Sequence, residues 1–201
     1  MPSDNVTSAD NQQERQDYYV GWVVGFVDGE GCFSVGVFRN RILKNGWQVF
    51  PEFVVTQGAK SRAALEELKT FFGCGKIFVN TRYDNHRESL YRYCVRSTKD
   101  IREKIIPFFV QYPLRTAKRD DFLHFVKIID MMERKIHLTP RGMKTIAKIV
   151  QQMNRKKPSQ YLESSETIRQ TPRARARDTG RYSPISAATQ RISRRKAGVI
   201  T

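Results

Sequence analysis

The sequence has only three cysteines, Cys32, Cys74 and Cys94, and no two of them form a CxxC pair. Their odd number argues against a disulfide framework, and they offer no zinc-ligand spacing. The three histidines, His86, His124 and His137, are scattered, so no metal cluster is readable from them. No apolar run approaches the roughly 20 residues of a membrane span. The N-terminal stretch MPSDNVTSADNQQERQD is polar and carries acids, the pattern of neither a secretory signal nor a typical transit peptide. Acid is scarce: 20 Asp and Glu stand against 36 Lys and Arg, a formal net charge of +16 over 201 residues. That excess points to a polyanionic partner, nucleic acid before an anionic membrane surface. The length suffices for one domain with a core and some tail.

What is present falls into segments. Residues 1–16 read as a disordered arm, and a helical pattern runs from Asp17 to Phe26. Phe33, Val35 and Val37 alternate in CFSVGVFR, which predicts a strand over Cys32–Arg39. A polar loop follows from Arg41 to Gly46, then a second strand from Trp47 to Gln57, where Pro51 suggests a bulge or an unpaired position. KSRAALEELKTFFG has helical spacing and a glycine stop at Gly73. KIFVNTRY and LYRYCVRS read as two more strands joined by a polar loop. Thr98 or Asp100 opens a helix over IREKIIPFFVQY, and a longer helix fits Thr116–Arg134. Thr139-Pro140 is a cap followed by proline at the first helical position, opening a last helix to about Met153. Residues 155–201 are rich in Arg, Ser, Thr and Pro and read as a basic, disordered tail with a short helix near Tyr161. The folded domain is thus expected at 17–154.

Both strand pairs read as antiparallel hairpins, with helices needed on one face of the sheet only. Phe33, Val35, Val37, Val49, Phe53, Val55, Ile77, Val79, Tyr93 and Val95 share the inward parity. The opposite face carries Ser34, Asn40, Gln48, Glu52, Lys76, Asn80, Arg82, Arg92 and Arg96, with Arg41 in the adjoining loop. A twisted ribbon with hydrogen-bonding and basic side chains can lie in the DNA major groove. An ordinary solvated sheet face would also be polar, but here Lys and Arg dominate the second hairpin.

The stretch YVGWVVGFVDGEGCFSV, Tyr19–Val35, poses a separate question. Gly21 and Gly25 each cost a helix about 1 kcal/mol relative to alanine. Four residues apart, they share one face, with Val24 and Asp28 flanking it, and let another backbone approach closely. Packing on a helix of the same domain would use that face, yet it leaves the terminal acids unexplained. Two copies crossing at their glycine faces bring two Glu30 side chains together beside the Gly29 carbonyls, which are helix-end acceptors. Carboxylate and carbonyl oxygens suit Mg²⁺, with Mn²⁺ or Ca²⁺ able to occupy the same place. Like charges so close need a cation.

Val23-Val24-Gly25-Phe26-Val27-Asp28-Gly29-Glu30-Gly31 resembles the motif of the LAGLIDADG homing endonucleases. Val-Val stands for the usual Leu-Ala, and Glu30 for the commoner Asp; either acid binds a hard cation. FVVTQ ending at Gln57, GCGKIFV, YRYCVRS and PLRTAKRDDFLHFVKIIDMM also resemble family segments in order and spacing, over roughly residues 17–154. The resemblance implies an α+β fold of αββαββα order, with an antiparallel saddle sheet on double-stranded DNA and extra C-terminal helices. It implies a Mg²⁺-dependent double-strand break with short 3′ overhangs in a long pseudo-palindromic site. Because G-x-x-D-G-[DE]-G occurs once, it also implies a homodimer.

The same resemblance gives Glu30 and the Gly29 carbonyl to the metal. It puts Gln57 at a solvent-orienting position and Lys118 beside the scissile phosphate, with Arg119 the competitor for that place. Arg62 or Ser61 adjoins the same network. Asp28 is expected to brace the partner helix, with Gly21, Val24 and Gly25 at the interface. The host is expected to be an intron, the site intracellular, in a mitochondrion, a chloroplast or a bacterial cytoplasm, with no membrane partner. Two other readings keep the fold: an RNA-binding splicing maturase, or a DNA-binding protein that does not cut.

Overall fold

A computed structural model of the chain describes residues 5–80, 89–153 and 161–162; Arg82 and nearly all of the expected tail lie outside them. Helix α1, Asn5–Glu30, feeds directly into strand β1, Gly31–Arg39. Strand β2 is Trp47–Gly58, helix α2 is Arg62–Phe72, and strands β3 and β4 are Lys76–Asn80 and Leu90–Val95. The backbone is then helical through α3, Thr98–Asp100, a π-helical segment, Ile101–Ile105, and α4, Ile106–Gln111. Helix α5, Lys118–Glu133, a 3₁₀ turn, Ile136–Leu138, and α6, Pro140–Gln152, complete the order. The result is the expected α+β succession αββαββα with added C-terminal helices.

The antiparallel sheet has the order β1-β2-β4-β3. One face is buried beneath α2, α4, α5 and the end of α1. Phe33 and Phe53 stack with ring centroids 5.0 Å apart, and Phe109, Phe122 and Phe125 close around Phe33 at 5.1–5.5 Å. Such aromatic pairs add about 0.5–1.5 kcal/mol each beyond the area they bury. Over residues 11–30 of α1, Val23 and Val27, one helical turn apart, are the fully buried side chains. At α6, the Thr139 hydroxyl accepts from the Gly142 N–H at 3.0 Å, the expected cap. A Cβ on Gly142 would lie 2.0 Å from the Ile136 carbonyl oxygen, so glycine is what lets α6 sit against that turn.

Three expectations need correction, and the alternatives left for Pro51 are decided. Helix α1 begins at Asn5 rather than Asp17, so the expected arm is helical over 5–16; its residues 11–18 are exposed, so no apolar period marked them. Pro51 forms no bulge but sits in continuous register opposite Val35. The β2–β4 ladder stops at Phe53, so on the β4 side Pro51 is the unpaired position that was the other expectation. The helix expected over 98–112 is α-helical only at its ends, because Pro107 cannot join a regular ladder. The Ile106 N–H instead reaches back to the Ile101 carbonyl, a π turn. Val79, expected inside, is 58% exposed at the end of the edge strand β3.

No helix among the described residues is long and apolar enough to cross a membrane. None of the three cysteines is in a disulfide, and burial pushes all three thiols up, Cys94 to about 11 with help from nearby Glu52, so none is a ready nucleophile.

Candidate functional site

Helix α1 ends in carbonyls without helical partners, and a cation answers them. The Lys118 ammonium, at the first turn of α5, donates to the Gly29 carbonyl and lies 3.5 Å from that of Val27. Glu30 is exposed at this tip. Gly31 opens β1 opposite Val55, so Gln57, two residues further along β2, stands half-buried at the same end of the sheet. Across the ladder from Gln57 is Tyr91, and the Arg62 guanidinium lies 5.2 Å over its ring while also pairing with Glu66 at 3.2 Å. The structure therefore gathers Gly29, Glu30 and Lys118, sets Gln57 on the adjoining strand end, and brings Arg62 there through Tyr91. Arg119 turns instead into the groove beside α1.

Within its own chain the Asp28 carboxylate is engaged at the start of α5, while it also lines the open groove beside α1. It accepts from the Arg115 N–H at 3.0 Å, the Thr116 N–H at 3.2 Å and the Thr116 hydroxyl at 2.6 Å. The same hydroxyl accepts from the Lys118 N–H at 3.3 Å, so the acid fixes the start of α5 and with it the lysine. Arg115 and Thr116 lie in the PLRTAKRDD segment, but nothing in it announces their pairing with Asp28; only the distant contact reveals that. Burial alone would raise the Asp28 carboxyl, but the Thr116 hydroxyl, the two backbone N–H groups and Lys118 outweigh it and hold it below the ordinary aspartate value. A carboxyl depressed on folding stabilises fully above its unfolded pKa, about 3.9, and that stability is lost as pH falls through the folded value. Asp28→Ala is expected to cost about 2 kcal/mol at pH 7, read from urea midpoints. The gap from the unsubstituted chain should narrow below about pH 4; a gap that stays constant down to pH 2 would contradict this.

The glycine face is open. Gly21, Gly25 and Gly29 have nothing within 4 Å of where a Cβ would stand. Gly21, Val24, Gly25 and Asp28 line one wall of a groove of about 790 Å³, and Tyr112 to Arg115 with Arg119 line the other. Among the described residues, no intrachain packing requires either mid-helix glycine.

Apart from Arg82 and the Asn80 side chain, the outer face of the sheet presents the expected polar residues, with a pattern that composition hid. Ser34 donates to the Glu52 carbonyl at 3.4 Å, and Asn40 and Gln48 bond each other at 3.0 Å across the hairpin. Arg41 and Lys76 are exposed, and Asn80 ends β3. Arg92 and Arg96 are not loose: Glu52 pairs with both, at 3.2 and 2.6 Å. Phe38, Phe50 and Phe78 also share this face, Phe38 at 54% exposure and Phe78 at 40%. Strand parity placed them there, although the face was read as polar.

A family model described as LAGLIDADG endonuclease matches residues 23–129, over half of the chain. An uncharacterized 50.9 kDa protein in ND4 intron 1 of Podospora anserina is 34% identical over 120 residues, 59% of this chain and 25% of that protein. Probable intron-encoded endonuclease 3 of Neurospora crassa is 33% identical over 135 residues, 66% of this chain and 24% of that one. The chain thus spans about a quarter of the length of these curated relatives. Among solved structures, the homing endonuclease I-TnaI superposes with a TM-score of 0.65 at 42% identity, covering 74% of this chain and 97% of that chain. I-SmaMI bound to cleaved DNA gives 0.66 at 36%, covering 78% and 50%. I-SmaMI bound to uncleaved DNA in the presence of calcium ions gives 0.64 at 36%, covering 79% and 52%. The helix end that carries Asp28 and Glu30 lies inside the matched span, and the chain belongs to the LAGLIDADG endonuclease family.

Proposed function

We propose that the protein is a site-specific DNA endonuclease that acts as a homodimer and needs a divalent cation, with Mg²⁺ its ordinary ion. The observation that carries this is half a site beside an open face. One exposed carboxylate, Glu30, ends α1, and among the described residues no group of three or more His, Cys, Asp or Glu gathers to complete a cation site within one chain. The glycine face of the same helix has room for a second backbone. Coverage supports the reading: this chain accounts for about half of I-SmaMI, which has been seen on cleaved DNA, but nearly all of I-TnaI.

Glu30 and the Gly29 carbonyl fit a hard cation. Both are oxygen donors, and the Gly29 oxygen already takes a positive charge from Lys118. Bound there, a divalent cation supplies Lewis-acid charge to a phosphodiester. The remaining work falls to the chain. Lys118 offers its ammonium to the charge that develops on phosphorus oxygens. Gln57 orients the attacking water, and the outer sheet face holds the duplex in register. Two such ends, one from each copy, cut both strands across the minor groove and leave short 3′ overhangs.

The direct test incubates the full chain with a duplex spanning the uninterrupted host-gene junction. Cutting of both strands with Mg²⁺, and none with EDTA, is expected. Binding without cutting under every cation, or splicing of the host intron RNA by a chain that cuts no DNA, would overturn the endonuclease reading.

A further inference from the structure

Glu52 is an acid on a face whose charged neighbours Arg92 and Arg96 are cations, and it is the most enclosed member of its cluster. Its side chain is 12% exposed, against 36% for Arg92 and 42% for Arg96. One carboxylate oxygen accepts from Arg96 Nε at 2.6 Å and the other from Arg92 Nη2 at 3.2 Å. The Arg96 guanidinium is also flanked by rings, 4.7 Å from the centroid of Phe78 and 5.7 Å from that of Phe50.

For a surface that only neutralises phosphates this arrangement is counterproductive. An acid there subtracts from the counterion term, and loose lysines or arginines would follow the backbone better. What Glu52 gains is geometry. With Nε committed to the carboxylate and two aromatic rings beside the guanidinium, the donors left on Arg96 are those of its two Nη nitrogens. That fork matches the paired O6 and N7 acceptors at the major-groove edge of guanine. We propose that Glu52 is a specificity-determining positioning residue, whose carboxylate holds Arg96 as a fixed reader of one guanine in each half of the DNA target and steadies Arg92 beside it.

This inference rests on the sheet being the DNA-facing surface, and the test separates the two. Duplexes are selected from a randomised library, with Ca²⁺ in place of Mg²⁺, by the full chain and by Glu52→Gln and Arg96→Lys. The unsubstituted chain should enrich a two-fold motif; if it enriches none, the DNA reading itself fails. Both variants should lose a guanine preference of roughly ten-fold or more at the same position of each half-site. Glu52→Gln should also bind random duplex more tightly, with a salt slope steeper by about one. Arg96 is largely exposed, so Arg96→Lys keeps the experiment interpretable if Glu52→Gln folds poorly. An unchanged motif in Arg96→Lys, or loss of a cytosine preference in Glu52→Gln alone, would overturn the proposal, the latter because Glu52 would then be reading the base itself.

Discussion

Replacing Glu30 by glutamine is expected to abolish cleavage while leaving DNA binding nearly intact. The substitution keeps the shape of an exposed side chain at the tip of α1 and removes its charge. Glutamine is a poor ligand for a hard cation, and Lewis-acid stabilisation of a phosphoryl centre is worth several kcal/mol. The single-turnover rate should therefore fall on the order of 10³-fold or more. Affinity should stay within a few-fold, because the sheet supplies the phosphate and base contacts. The measurement pairs quenched-flow cleavage in Mg²⁺ with equilibrium binding in Ca²⁺. Cleavage by Glu30→Gln within ten-fold of the unsubstituted rate would remove Glu30 from the site.

Replacing Gly25 by leucine should act on assembly and spare the fold. A side chain there meets nothing in its own chain, and leucine suits a helix interior better than glycine by up to about 1 kcal/mol. The monomer should therefore melt at the same temperature or slightly higher. A second backbone seated on that face has no such freedom. Self-association should weaken at least about 100-fold, as when a central interface residue is disrupted, and cutting of both strands should vanish with it. Sedimentation velocity and thermal melts on one preparation give the two quantities. A Gly25→Leu chain that stays dimeric and active would place the interface elsewhere.

How much of this was readable beforehand followed the range of each interaction. Phe33, Val35 and Val37 alternate within one strand, and Thr139-Pro140 announces α6 in two residues; such local patterns were enough for the element order. The glycine–acid helix end carried the family in nine consecutive positions. Pairs brought together by the fold were silent. Asp28 meets Thr116, Gly29 meets Lys118, and Glu52 meets Arg92 and Arg96, and no periodicity links those partners. The motif announced Asp28 as a bracing acid, but not that the Arg115 and Thr116 backbone of its own chain meets it. The N-terminal extension of α1 failed for the opposite reason, since an exposed helix has no buried face to leave a period.

The strand order has a consequence for how the molecule comes together. Each hairpin closes a short loop, but the seam in the centre of the sheet joins β2 to β4, with α2 and β3 lying between them in the chain. Closing that larger loop costs entropy before its ladder returns any contact, so topology sets a slow pace for folding. Two hairpins, each marginal alone, must meet edge to edge. Until they do, the inner edges of β2 and β4 are open to the same edges on other nascent copies, and α2, which packs on both strands, ties the two hairpins together once the seam closes.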